Sequence, residues 1–326
     1  ALRWRGPTLP GLANPKVRLG GYVGESKAEI LDLAGAAARR WIAPYLRFAP
    51  LDGEPAETAA DRLLASAEAA GFAPPLVLKP DVGERGAGVQ LAEDRADVVR
   101  YLSTFPAGAA LIAQRLCAKE GEAGVFYIRQ PGAAHGEIFS LTLKYFPYVV
   151  GDGRRRLGEL IAADPRAGRI AEVYARRHAD RIDWVPAAGE AVRLAFAGSH
   201  SRGAIFRDGG AFITDAMRDR FDAISADIDE FYFGRFDVRF DAIADLEAGR
   251  GFEIVEINAA GGEATHIWDR NMSIWRAWAT LFRQFSKLWA VGAANRARGW
   301  RPPGVLEAFR TWRAHRALTP VYPPTH

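Results

Sequence analysis

The chain has 326 residues, 49% of them apolar and 25% charged, with 43 basic and 39 acidic side chains and a formal net charge of +4. That is enough for two or three small domains with a full core, in a composition ordinary for a soluble globular protein. The single cysteine, Cys117, excludes an internal disulfide framework and a multi-cysteine zinc site.

Charge is unevenly placed. Residues 268–326 carry ten Arg or Lys against Asp269 and Glu307, so a tail of +8 sits on a body of −4. Only six of the basic residues are lysines (Lys16, Lys27, Lys79, Lys119, Lys144 and Lys287), and in an Arg-rich chain each marks a position worth inspecting. No apolar run approaches the ~18 residues that span a bilayer, and no signal peptide opens the chain. The chain starts at Ala1 without Met, which leaves an upstream segment, a membrane anchor included, open.

In chain order, residues 1–27 are rich in Gly and Pro and read as an extended arm with a turn at Gly20-Gly21. Ser26 is placed to cap a helix from Lys27 to Arg40. Pro44, Pro50 and Pro55 interrupt the next stretch, and a helix is predicted from Ala56 to Ala70, closed by Gly71. Residues 75–80 form a short apolar strand carrying Lys79, which runs into a loop containing Gly83, Gly86 and Gly88. A helix over 96–102 and strands over 109–116, 124–130 and 137–143 come next, the last followed by Lys144. Strands broken by helices in this way predict an α+β fold built from antiparallel sheets.

Two later strands carry the chemistry. In Phe252–Asn258, strict alternation puts Glu256 and Asn258 on one face, preceded there by Phe252 and Ile254, with Glu253, Val255 and Ile257 on the other. A carboxylate and an amide oxygen at a strand end suit a hard cation such as Mg²⁺. Asp237, on the alternating strand Phe236–Phe240, offers a third oxygen ligand, and Arg235 shares its face. Taken alone, the pair reads equally as a hairpin with a solvated acidic face. Lys79 beside its glycine-rich loop places an ammonium next to backbone N–H groups, an arrangement suited to phosphate.

Together, over roughly residues 72–265, these pieces resemble the ATP-grasp superfamily, in particular the D-alanine–D-alanine ligase and cyanophycin synthetase types. The resemblance implies two α+β subdomains with antiparallel sheets clasping ATP. It assigns residues 1–71 to a shortened N-terminal region, 72–117 to the small subdomain, 118–267 to the large one and 268–326 to a helical tail. By the same resemblance Asp237, Glu256 and Asn258 hold Mg²⁺, and Lys79, Lys144, Gly83, Gly86 and Gly88 bind the phosphates of ATP. Gln114 lies at the adenine hinge, and Glu122 (or its neighbour Glu120) meets the ribose. Arg235 faces the transferred phosphoryl group, and Arg202 meets the acceptor or acylphosphate; His200 nearby reads as an ordinary surface or core-edge histidine. Arg154, Arg155 and Arg156, after a Gly151-Asp152-Gly153 turn, face an anionic acceptor or solvent.

Two departures stand out. The family's Pro-Gly after Glu-x-Asn is here Ala260-Gly261-Gly262, and fewer than 75 residues precede the Lys79 subdomain, where about a hundred are usual. The acceptor site is therefore built differently, or is completed by another chain or a membrane. The implied activity is an ATP- and Mg²⁺-dependent ligase that activates a carboxylate for attack by an amine or other nucleophile. A kinase acting on a hydroxyl and a nucleotide-regulated binding module are the alternatives.

The last segment concentrates six of the nine tryptophans: Trp268, Trp275, Trp278, Trp289, Trp300 and Trp312. From Ile274 to Trp289 the apolar residues form a helical stripe, with Arg276, Arg283 and Lys287 towards the other side. One expectation is that this stripe packs on the body; the other is that it rests on an anionic membrane carrying a lipid-linked acceptor. No nucleic-acid partner is expected, and the cytoplasm is the expected location.

Overall fold

Two antiparallel sheets, each with one apolar face, organise the chain. The computed structural model describes residues 4, 6–84, 86–195, 198, 203–323 and 325. After an irregular arm come α1 (Lys27–Asp32) and α2 (Ala36–Arg39). The single helix predicted over 27–40 is broken because Asp227 intrudes. Its backbone carbonyl accepts from Gly35 N at 2.6 Å and its carboxylate from Ala38 N at 2.7 Å, which starts α2 anew.

The smaller sheet has the order β1-β4-β2-β3, from β1 (Tyr45–Phe48), β2 (Leu76–Pro80), β3 (Gln90–Ala92) and β4 (Leu111–Arg115). Its edge strand β1 comes from the stretch that sequence assigns to the N-terminal region. Helices α3 (Ala56–Ala69) and α4 (Arg95–Ser103) cover one face, burying Leu63, Leu76, Leu78, Val98 and Leu111.

The larger sheet has the order β11-β10-β5-β6-β9. It is made of β5 (Gly121–Ile128), β6 (Glu137–Tyr145), β9 (Ile205–Asp208), β10 (Phe233–Phe240) and β11 (Phe252–Asn258). Between β6 and β9 lies an insertion with a two-stranded sheet, β7 (Tyr148–Val150) and β8 (Ala191–Arg193). Its helices α5 (Leu157–Ala163) and α6 (Ala171–Arg177) close a small core of their own around Leu157, Ile161 and Tyr174. Helix α7 (Asp215–Ala226) precedes β10, and α8 (Ile243–Glu247) joins β10 to β11. Val125, Phe236, Val238 and Ile254 on one face of the sheet pack with Phe221 of α7 and Ile30 of α1. The opposite face of the strands is free to carry polar groups.

Strict alternation does not hold along β11. Asp237 pairs with Glu256 but Val238 pairs with Ile254, so Val255 is an extra residue in a bulge. Phe252 and Ile254 therefore lie in the core together with Ile257, not on the face of Glu256 and Asn258. The pair does share a face, as alternation predicts for residues beyond the bulge.

The tail holds α9 (Ile274–Ala297) and α10 (Val305–Leu318). Helix α9 packs on the body, but not through its aromatic stripe. Its buried positions are Thr280, Gln284, Leu288, Val291, Gly292 and Asn295, while Trp275, Trp278, Phe282 and Phe285 face outward. The packing expected for those four aromatics is thus overturned. Among the described residues, no helix is long and apolar enough to cross a membrane.

Candidate active site

The two sheets meet along a cleft of about 690 Å³. Strand β2 presents Lys79 at one wall, where burial depresses its ammonium pKa to about 8. Lys79 Nζ donates to Gln114 Oε1 of β4 and to the Val255 carbonyl of β11, both at 2.9 Å. The bulge turns that carbonyl towards the cleft, so Lys79 links the small sheet to the large one.

The floor is a cross-strand lattice of charge. In register, Lys144 of β6 opposes Glu122 of β5, which opposes Arg239 of β10; Asp237 opposes Glu256, and Arg235 opposes Asn258. Lys144 Nζ lies 2.8 Å from Glu122 Oε1 and 3.0 Å from Asp237 Oδ1, and Arg239 Nε lies 3.1 Å from Glu122 Oε2. Arg235 makes a two-pronged contact with Asp237, at 2.8 and 3.0 Å, and donates to the Glu263 carbonyl at 3.0 Å. Gly124, opposite Asp237, leaves room for it: a Cβ there would sit 2.9 Å from Arg235 Cδ.

These ions are deeply buried yet charged. Burial alone would raise the Asp237 carboxyl, but Arg235 and Lys144 outweigh it and hold the group well below the usual carboxylate range. Burial likewise opposes ionisation of Glu122, and Lys144 and Arg239 prevail. Lys144 is desolvated too, and Asp237 and Glu122 keep its pKa raised. Six cations line the cleft, Lys27, Lys79, Arg115, Lys144, Arg235 and Arg239, against five carboxylates, Glu84, Glu122, Asp237, Glu256 and Glu263. The surplus is positive, as a polyphosphate requires.

Lys79, Gly83, Gly86, Gln114, Glu122, Lys144, Arg235, Asp237, Glu256 and Asn258, singled out from sequence, all line this one cleft. Gly88 does not. Its N donates to Thr325 Oγ1 at 3.1 Å, and a Cβ on it would press on Pro80 and Tyr322. Arg202 and His200 lie outside the described residues. Arg155 and Arg156 pair with Asp152 and Asp183 on the exposed surface of the insertion.

Several cleft residues escaped sequence reasoning. Lys27 Nζ donates to the Gly83 carbonyl at 2.7 Å and stands 3.7 Å from Glu256 Oε1. It is aimed by buried Asp81, which accepts from Ser26 Oγ and from Ala28 N, all at 2.9 Å, and so fixes the start of α1 against the glycine-rich loop. Lysine scarcity was the available signal, since Lys27, Lys79 and Lys144 are the three that reach the cleft. Glu25 accepts from Ala259 N at 2.9 Å just past Asn258, and burial raises its carboxyl pKa to about 8. The C-terminal segment returns over the glycine-rich loop. Tyr322 OH donates to the Val82 carbonyl at 2.6 Å, and Thr325 Oγ1 donates to the Gly86 carbonyl at 2.7 Å.

The deciding feature is the placing of these groups between two antiparallel sheets. One sheet supplies a strand lysine with a glycine-rich loop, and the other a second strand lysine, an Arg-x-Asp and a Glu-x-Asn on adjacent strands. This is the two-sheet arrangement that the sequence resemblance to the ATP-grasp superfamily leads one to expect. The apolar end of the cleft is formed by Val77, Leu116 and Cys117, beside the exit of β4.

No family sequence profile matches the chain, and no curated protein matches it. Solved structures do. A bifunctional glutathione synthetase from Pasteurella multocida is 15% identical, with a TM-score of 0.43 over 85% of this chain and 39% of that one. D-cycloserine synthetase DcsG is 16% identical, with a TM-score of 0.40 over 83% of this chain and 69% of that one. The ATP-grasp ligase PsnB, complexed with a minimal precursor, is 13% identical, with a TM-score of 0.38 over 80% and 60%. The chain thus spans well under half the length of the glutathione synthetase.

The donor set fits a hard cation in its chemistry. Among the described residues no group of three His, Cys, Asp or Glu side chains is placed to hold a metal ion by itself. The oxygen set consists of two carboxylates and one amide, on paired strands that face the positive cleft. Glu256 is the more open of the two acids, its nearest cation being Lys27. Asp237 is already ionised but is held by Arg235 and Lys144, and Asn258 Nδ2 donates to it at 3.3 Å.

Proposed function

We propose that this protein is an ATP- and Mg²⁺-dependent ligase that activates a carboxylate as an acylphosphate. The observation that carries the reading is the convergence of Lys79, Lys144 and Arg235 with Asp237, Glu256 and Asn258 in one cleft between two sheets. A carboxylate oxygen of the acceptor attacks the γ-phosphorus, and the bond to the ADP oxygen breaks. An amine or other nucleophile then attacks the acyl carbon, orthophosphate leaves, and the nucleophile gives up its proton. No protein nucleophile is required.

The chain's own residues supply position and charge. Lys79 and the backbone of Gly83 and Gly86 hold the triphosphate, with Gln114 at the hinge and Glu122 towards the ribose. Lys144 and Arg235 face the phosphoryl group and stabilise charge as it shifts in the transition state. Asp237, Glu256 and Asn258 would hold Mg²⁺, which screens the phosphates when bound. Arg235 is the one cation that grips Asp237 with two prongs, so nucleotide and Asp237 compete for it. The enzyme would act in the cytoplasm, on a small or lipid-linked acceptor delivered at an anionic membrane surface.

The test follows ATP by ³¹P NMR with Mg²⁺ and a pooled metabolite and lipid extract, with and without hydroxylamine. A ligase yields ADP, orthophosphate and, with hydroxylamine, a hydroxamate. ADP with a stable phosphoester and no orthophosphate would replace this reading with a kinase. ATP binding with no turnover in any fraction would leave a binding module.

A further inference from the structure

We infer that α9 and α10 form a docking surface for an anionic lipid bilayer. The inference deepens the membrane part of the proposed function and rests on it.

Helix α9 packs through a mixed face, with Leu288 and Val291 buried beside Thr280, Gln284 and Asn295, and keeps its aromatic stripe off the body. On that inward face Gln284 Nε2 donates to the Gly262 carbonyl at 3.0 Å and Gln284 Oε1 accepts from Ala264 N at 3.0 Å. Asn295 Nδ2 donates to the Leu12 carbonyl at 2.8 Å. Any side chain at Gly292 would collide with the Leu9 carbonyl. Rolling the helix to bury its aromatics would break all of these contacts and leave buried polar groups unpaired. The stripe of Ile274, Trp275, Trp278, Phe282 and Phe285 is therefore fixed outward, with Trp275 80% and Phe282 70% exposed.

Helix α10 repeats the pattern. Thr311 is its one buried residue, held by Arg18 Nη2 at 3.1 Å, while Val305, Leu306, Phe309 and Trp312 are exposed. Each of these two successive helices keeps bulky apolar residues in water, which marks an interaction surface.

Charge decides the occupant. On α10, Arg313 and Arg316 fall on the same side as the exposed apolar residues; they and Arg310 have no carboxylate partner among the described residues, and Glu307 is the single acid on either helix. A second copy docked face to face would set this positive surface against itself. The aliphatic residues Ile274, Val305 and Leu306 have no flat face to stack on bases, which argues against nucleic acid. Trp, aliphatic side chains and Arg together match a bilayer with acidic headgroups: the aromatics enter the headgroup boundary and the guanidinium groups meet lipid phosphate.

The test is flotation of the intact protein with vesicles of two parts phosphatidylcholine to one part phosphatidylglycerol, and with phosphatidylcholine alone. Binding to the anionic vesicles at low salt, lost at high salt and absent from the neutral ones, is expected. The variant Trp275→Ser/Phe282→Ser alters only outward side chains and should lower bound protein at least ~10-fold. Far-ultraviolet circular dichroism and calorimetric ATP binding serve as controls and should not change. Failure of the native protein to float with anionic vesicles at low salt overturns the inference, as does flotation unchanged in the double variant. A concentration-dependent dimer abolished by the double variant would reassign the face to protein contact and also overturn it. ATP binding is read separately, so loss of the ligase reading would not be mistaken for loss of this one.

Discussion

Lys79→Met tests the nucleotide site most directly, because the change removes charge and hydrogen bonding while nearly conserving volume. Two terms set the effect on folding. Burial lowers the Lys79 pKa from 10.5 to about 8, so carrying this charge at neutral pH costs the native state about 3 kcal/mol, which Met does not incur. Against that, Met leaves Gln114 Oε1 and the Val255 carbonyl without their donor, at about 1–3 kcal/mol. The terms nearly offset, and the melting temperature should move little. ATP binding has no such compensation. Loss of a charge-assisted contact to phosphate is about 1.5–3 kcal/mol, or roughly 10- to 150-fold in Kd.

The pH dependence gives a second signature of the same residue. Between about 8 and 10.5 the unfolded chain holds the Lys79 proton and the native chain does not. Stability therefore gains a contribution as pH rises through that window, and the Met variant lacks it. At a pH of about 8, nucleotide binding should also draw a proton onto Lys79, seen as a buffer-dependent enthalpy in titration calorimetry and absent from the variant. Unchanged ATP affinity in Lys79→Met, or affinity lost only together with a cooperative fold, would refute the reasoning.

Glu256→Gln keeps size and hydrogen bonding but removes the more open acid of the Mg²⁺ set, and should cut Mg²⁺-dependent ATP turnover by about 100-fold or more; intact turnover would mean the ligands are elsewhere. Glu25 holds its proton in the native state up to about pH 8, whereas the unfolded chain releases it near pH 4.5, so native stability falls as pH rises between these values. Glu25→Gln should flatten that slope in thermal denaturation; an unaltered slope would show that Glu25 is not the group responsible. Tyr322→Phe removes the bond to the Val82 carbonyl and should loosen the glycine-rich loop, weakening ATP binding by roughly 2- to 10-fold, with faster amide exchange at residues 82–88 as the direct readout. Exchange equal to that of the native protein would separate the C-terminal segment from the loop.

The sequence by itself located the six strands over 75–80, 109–116, 124–130, 137–143, 236–240 and 252–258 and the groups they carry, but not the five shorter strands Tyr45–Phe48, Gln90–Ala92, Tyr148–Val150, Ala191–Arg193 and Ile205–Asp208. Glu256 and Asn258 two apart, Asp237 two after Arg235, and Lys79 before three glycines are local patterns, and local pattern sets the face of a strand side chain. The antiparallel α+β class came from the same spacing. Tertiary structure decided the rest, because the deciding partners are distant in sequence. Asp227 interrupts the first helix from nearly two hundred residues away. The bulge at Val255 depends on pairing with β10 and moved Phe252 and Ile254 into the core. Lys27 became a cleft residue only because Asp81 anchors the turn that carries it. The tail shows the division most clearly. Periodicity found an amphipathic helix, but amphipathicity does not say which face is inward. Gln284, Asn295 and Gly292 answer that, because backbone groups of the body need those amides and tolerate no larger side chain at the glycine. The inward face keeps these hydrogen bonds together with the burial of Leu288 and Val291, and the aromatic stripe is left on the outside.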